Sequence, residues 1–221
     1  MIPGRRARAP EDKAVRREMI LDAALELWES KTFQEFSMQA LATHLGLAKG
    51  TLYLYFPTKE ELFLAVYTRL LGAWFDEVDL GLAQAKPEAT AVAEVMIEGL
   101  LRRPLLARLI AINEVILERN ISVESAREFK LWLAQRVAQT GPRIEGLVGH
   151  GAQGSGPYLL ICLQALVSGL GPMSSPSAVV ASVLQERGMQ DLIVDLGAVL
   201  RPAYTSILLG VSGEWKERSE K

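Results

Sequence analysis

Lys49, Gly50 and Thr51 sit together in the chain, and Lys59 follows a short distance on. A lysine in such a run can reach phosphate or guanine O6/N7. A glycine beside it lets the backbone approach a duplex closely, because it carries no Cβ. Lys59 falls at the start of a helix, where an ammonium and free N–H groups together favour phosphate. Residues 1–17 hold Arg5, Arg6, Arg8, Lys13, Arg16 and Arg17 against Glu11 and Asp12, on a chain whose formal net charge is −2. A basic end on a mildly acidic body suits contact with phosphate at one end only.

Other chemistries fail on inventory. His44 and His150 lie far apart, outside any H-x-x-x-H or C-x-x-C set. The glycines of Gly149–Gly156 lack the Gly-Lys-Ser/Thr ending and a preceding strand, so this stretch reads as a link between helices rather than a phosphate loop. Glu114 and Glu118 lie one helical turn apart, a spacing open to acid–base work but more common on a solvated face. Neither a catalytic set, a metal site nor a cofactor is expected. Cys162, the single cysteine, cannot form an internal disulfide and fits a reducing cytosol. Arg5-Arg6 is followed by charged residues rather than an apolar stretch, so no export signal is read, and apolar runs such as Tyr158–Leu170 are too short to cross a membrane.

Two short helices position the first set. Ser37 is a suitable N-cap, its hydroxyl accepting from a first-turn amide. Leu41, Ala42 and Leu45 form an apolar stripe, and Gly46 stands where a helix needs a left-handed residue after its C-terminus. Beyond the turn, Leu52, Tyr55 and Phe56 give a second helix its apolar face. Pro57 stops it, and Thr58-Lys59-Glu60-Glu61 is a capping box that opens a third. Two helices across a tight glycine turn describe a helix-turn-helix DNA reader.

The ordered set Gly46, Lys49-Gly50-Thr51-Leu52-Tyr53, Tyr55-Phe56 and Lys59 resembles the DNA-binding module of TetR-type transcriptional repressors, over about Val15 to Val66. The resemblance implies three reader helices and a fourth that links them to a ligand-sensing domain. It implies that Tyr53 contacts phosphate through its hydroxyl, that Tyr55 lies near the DNA backbone or half in the core, and that Ser37 or Gln39 faces DNA. Met38 departs from the small polar residue expected there.

Nearly all the remaining chain reads as helix. Ile20, Ala23, Ala24, Leu27 and Trp28 stripe a first helix over 15–28, with Phe33 and Phe36 plugging the reader core. A connector runs from Thr58 to about Leu82, broken at Lys86-Pro87. Further helices are expected over 88–101, 104–118, 122–141, 157–170, 177–186 and 192–209. The organisation is thus a basic arm (1–14), a reader (15–58), a connector (59–86), a helical ligand-binding and dimerisation domain (87–211) and a polar tail (212–221), all-α throughout.

One reader makes few contacts, so a homodimer on paired half-sites is expected. Tyr158, Cys162, Leu166 and Leu170 on one helix, with Ile193, Leu196, Leu200, Tyr204 and Ile207 on another, are its candidate interface. By the family resemblance, a small and largely apolar effector binds among Ile97, Leu101, Ile112, Ile116, Phe129, Trp132 and Leu133, oriented by Asn113, Glu114, Gln164 and Ser168. Binding there releases a palindromic operator. The competing reading is a helix-turn-helix protein that acts through a protein partner without small-molecule control.

Overall fold

The computed structural model describes residues 10–29, 31–113, 116–149 and 154–218, with the side chains of residues 10, 11 and 212–218 left aside. The arginines of the basic arm at 5, 6 and 8, and Glu114, lie outside the described residues. Everything regular within them is helical: α1 (Pro10–Trp28), α2 (Met38–His44), α3 (Lys49–Tyr53), α4 (Lys59–Leu82), α5 (Ala89–Leu101), α6 (Pro104–Ile112), α7 (Val123–Val148), α8 (Ser155–Ser174), α9 (Ala178–Leu184) and α10 (Leu196–Arg218).

Helices α1 to α3 and the start of α4 enclose a small core of their own. Phe63 of α4 sits at its centre, with the rings of Trp28, Phe33 and Phe36 edge-on at centroid distances of 5.0, 5.0 and 4.8 Å. Edge-to-face packing sets the positive ring edges against a negative face. Ile20, Leu21, Leu41, Leu52 and Leu62 complete this core and are fully buried. The α2–α3 turn forms as the glycine demanded. Gly46 adopts φ +62°, its amide bonds Thr43 O at 3.1 Å, and the Leu47 amide bonds Ala42 O at 2.9 Å. These two bonds satisfy the carbonyls that a helix end leaves orphaned.

Helices α5, α6 and α7 pack on the rest of α4, and α8 and α10 pack on them in turn. The Tyr67 ring of α4 meets that of Phe129 of α7 at a tilt, 5.5 Å between centroids, and farther along Asp79 accepts from Thr140 Oγ1 at 2.9 Å. Helices α4 and α7 therefore run parallel, both starting at the reader end. Arg136 and Arg143 also close on the largely buried Asp79 carboxylate, at 3.5 and 3.2 Å.

Five boundaries differ from the sequence expectation. Helix α1 begins at Pro10, so residues 10–14 join the helix rather than the arm; proline is tolerated in a first turn. The expected helix over 104–118 stops at Ile112, and Leu117–Arg119 forms a separate 3₁₀ turn. The buried Asn113 side chain, which donates to Glu118 Oε1 at 2.8 Å, supports that fold-back. Helix α7 continues through Gly141-Pro142 to Val148, and α8 through Gly171-Pro172 to Ser174. In both, the residue before proline has no Cβ for the ring to strike, so the usual stop is weakened. Helix α10 starts at Leu196 rather than 192, where Asp195 Oδ1 accepts from the Ala198 amide at 2.7 Å.

Candidate nucleic-acid interface and adjoining cavity

The outer surface of the reader gathers most of the expected contact residues. Ser37 caps α2, accepting from the Gln39 and Ala40 amides at 3.2 and 3.3 Å. Its O–H can still donate outward. Gln39, Lys49 and Gly50 are exposed, Thr51 is half-exposed, and Tyr53 is 40% exposed. Lys49 Nζ lies 5.8 Å from the Tyr53 ring centroid, which places a cation and a phenol on one edge of α3. No side chain caps the N-terminus of α3, so its first amides keep donors to offer. A Cβ at Gly50 would meet nothing within 4 Å. Met38 is buried, as befits a residue unsuited to reading bases. Tyr55 is half-buried against the core, the second of its two expected placements. Leu54, 78% exposed beside Tyr53, was not singled out by the sequence pattern because it falls off the apolar stripe. An exposed leucine of this kind suits a thymine methyl group.

Lys59 corrects the expectation placed on it. Its ammonium turns inward, donating to Phe33 O at 2.8 Å and Phe36 O at 3.3 Å, with the Phe33 ring 4.1 Å away. Burial lowers its pKa from the ordinary lysine value, with Glu60 opposing. Two of three donors are committed, so Lys59 holds the α1–α2 connection in place rather than serving as a free phosphate anchor. The connection is further closed by Glu35, whose carboxylate accepts from the Thr32 amide and hydroxyl, both at 2.8 Å.

The sequence also gave no sign of Arg108. From α6 it lies over the Trp28 ring at 4.4 Å and donates to Trp28 O at 3.3 Å and to Lys31 O. It thereby caps the C-terminal end of α1, and burial lowers its pKa. A lone arginine in an apolar helix has no sequence signature for such a reach. The start of α4 carries a second bridge. Thr58 Oγ1 accepts from the Glu61 amide and donates to Asn120 O, both at 3.0 Å. The Glu61 carboxylate does not complete the expected capping box. It accepts instead from the Ser122 amide at 2.9 Å, while Asn120 Nδ2 donates to Glu60 at 2.9 Å.

Behind the reader, α4 to α8 enclose a cavity of about 300 Å³. Tyr67, Leu71, Trp74 and Phe75 of α4 form one wall, and Leu133, Ala134 and Val137 of α7 another. Leu160, Leu163 and Val167 of α8, with Leu100 and Ile110, close it. Gln164 and Lys130 supply its polar lining. Of the expected effector residues that are described, only Leu133 and Gln164 line this space. Leu101, Ile112 and Ile116 instead line a second cavity of about 330 Å³ between α6 and the reader. Phe129 and Trp132 stack at 6.0 Å on a cleft facing α1 and α4. Ile97 is core, Asn113 is taken up by Glu118, and Ser168 Oγ donates to Ile110 O at 3.4 Å. Helical periodicity marks which face is buried; it does not mark where burial leaves a gap.

The interface residues divide similarly. Tyr158 and Ile193 are exposed, while Cys162, Leu166, Leu170, Leu196 and Ile207 are half-buried. Leu200 and Tyr204 are fully buried, the Tyr204 hydroxyl donating to Leu159 O at 3.3 Å, so neither can meet a partner.

A reader with a shaped outer face, set on a helix that also walls a cavity, defines a one-component regulator class. Comparison with known proteins agrees. Residues 20–66 match bacterial regulatory proteins of the tetR family, and residues 68–214 match the tetracyclin repressor-like C-terminal domain. The chain belongs to the tetR family of bacterial transcription regulators and is not an enzyme. It is similar to the HTH-type transcriptional regulator RutR of Escherichia coli, 35% identical over 71 residues covering 32% of each chain. It is also similar to the HTH-type transcriptional repressor KstR of Mycolicibacterium smegmatis, 35% identical over 83 residues, 38% of this chain and 36% of that one. These matches span about a third of the relatives' length. The fold resembles that of the fatty acid degradation regulator FadR from Bacillus halodurans, with a TM-score of 0.56 at 18% identity over 87% of this chain and 97% of that one.

Proposed function

We propose that the protein is a homodimeric cytoplasmic repressor that binds a palindromic operator and leaves it when a small, largely apolar effector enters the cavity behind α4. The observation that carries this reading is the double use of α4. Its first turn adjoins the reader core through Phe63, and its middle turns supply Tyr67, Leu71, Trp74 and Phe75 to the cavity. An effector that favours a different seat for α4 shifts the reader; one that fits both seats equally shifts nothing. Gln39, Lys49, Thr51 and Leu54 read bases, with Ser37, Tyr53 and the close approach at Gly50 fixing the backbone.

The dimer forms through the outward faces of α8 and α10. Tyr158, Ile161, Ala165 and Met173 are exposed along α8, as are Val199 and Leu209 along α10. On α9, Val179, Val180 and Val183 are exposed as well. An apolar surface of this extent on a globular chain marks an association site, and two helices from each copy form a four-helix bundle.

Two measurements test this reading. Ala165→Arg places a charge in the centre of the α8 face without touching the monomer core, and sedimentation should show a monomer with weakened DNA affinity. Apolar compounds that quench Trp74 emission should release bound DNA, with the quench lost in Trp74→Phe. Quenching without release would favour control through a protein partner instead.

A further inference from the structure

Among the described residues that line the 300 Å³ cavity, Lys130 is the only one with a formally charged side chain. Its ammonium lies 2.6 Å from Glu118 Oε1, and the same oxygen accepts from Asn113 Nδ2 at 2.8 Å. The Lys130 side chain is 53% exposed and that of Glu118 25%, so the ammonium stands at the cavity mouth beside a largely covered carboxylate. A lysine this exposed is held only weakly by one carboxylate. Lys130 can therefore turn to a second anion at little cost, gaining a charge-assisted contact, while an attached apolar tail is buried in the cavity.

Glu118 also sits on a strap. It belongs to the turn Leu117–Arg119, and the residues that follow bond the N-terminus of α4: Asn120 with Thr58 and Glu60, Ser122 with Glu61. Only Leu54–Thr58 separate that terminus from the recognition helix α3. The Lys130–Glu118 pair is thus one of the ties that hold the strap against α7.

We propose that the effector is an anionic amphiphile whose acidic head group takes Lys130 from Glu118 while its apolar tail fills the cavity, loosening the 117–122 strap on α4. The inference rests on the reading of this cavity as the effector site. A neutral ligand leaves the ion pair intact, and a cationic one is repelled by Lys130. The shared chemistry is an anion on an apolar chain, carried as a carboxylate or as a phosphate ester.

Calorimetric titration with decanoate, decyl phosphate and decanol tests it. Both anions should bind about tenfold tighter than decanol, the worth of one charge-assisted contact. Whichever anion binds tighter names the head group. Lys130→Met, which keeps an apolar stem, should bring both anions to the level of decanol and leave decanol unchanged. Glu118→Gln should tighten both anions by freeing the ammonium. Hydrogen exchange over residues 116–123 and 58–62 should quicken with decanoate and not with decanol. Equal binding of anions and decanol, or a preference that survives Lys130→Met, would overturn the head-group assignment and leave the cavity reading standing. Failure of all three compounds to bind would overturn the cavity reading and this inference with it.

Discussion

Gly50 and Gly156 show how differently the two halves of the molecule use the same residue. A Cβ at Gly50, on the recognition helix, would meet nothing within 4 Å. A Cβ at Gly156, at the start of α8, would meet the Gly141 Cα of α7 at 2.4 Å and its carbonyl carbon at 2.5 Å. In the reader the missing side chain leaves room for a partner molecule. In the second domain it lets two helices touch. Glu145 reinforces that crossing, its Oε1 accepting from the Gly154 and Gly156 amides at 3.2 and 2.8 Å. The reader is thus a closed small core with an open surface, and the second domain a tightly crossed frame with an internal gap.

The contrast is tested most severely at the reader core. Phe63→Ala removes the ring on which three others converge and should cost about 3–5 kcal/mol, abolishing DNA binding; thermal melting followed by circular dichroism measures the loss. Gly156→Ala must push α7 from α8 and should cost roughly 1–3 kcal/mol. It should leave reader-only properties such as non-specific DNA affinity intact below the melting range. Equal stability of this variant and the parent would contradict the close crossing.

The two reader lysines should separate cleanly. Lys59→Ala strands two carbonyls and should cost about 1–3 kcal/mol, with the salt dependence of DNA binding unchanged. Lys49→Ala should leave the melting curve in place and lower the salt slope by about one ion. A reversed pattern would return Lys59 to the DNA surface. Gly50→Ala should raise stability slightly, by about 0.5 kcal/mol, because alanine suits a helix better, while weakening specific binding through lost close approach. The smallest effect concerns Glu35. The Thr32 amide, then its hydroxyl, hold the Glu35 carboxyl below its ordinary value of 4.5. A depressed carboxylate stabilises above its unfolded pKa, and that contribution is lost as pH falls through the folded one. The melting difference between the parent and Glu35→Gln should therefore persist near neutral pH and close below about pH 4.

What the sequence made legible follows the same division. The reader could be read from local signals, because Ser37, Gly46 and Thr58 act within a few residues of themselves through caps and a left-handed turn. The inward turn of Lys59 has no local signal, since its partners, Phe33 O and Phe36 O, lie 26 and 23 residues away. In the second domain the helices were legible and their ends were not. Gly141-Pro142 and Gly171-Pro172 have the form of stops, yet glycine before proline removes the clash that would make them so. The cavity was illegible for a further reason. Apolar stripes such as Ile97, Ile112 and Ile116 specify burial, and only three-dimensional packing decides which buried faces fail to meet.

The proposed homodimer presents paired readers to a two-fold symmetric duplex. Selection of bound sequences from a random duplex pool, followed by sedimentation of the recovered complex, tests it most directly. The expected result is an inverted repeat with half-sites about 34 Å apart or a multiple of that, carrying two protein chains for each repeat. Recovery of no enriched sequence, or of a single half-site bound by one chain, would contradict it.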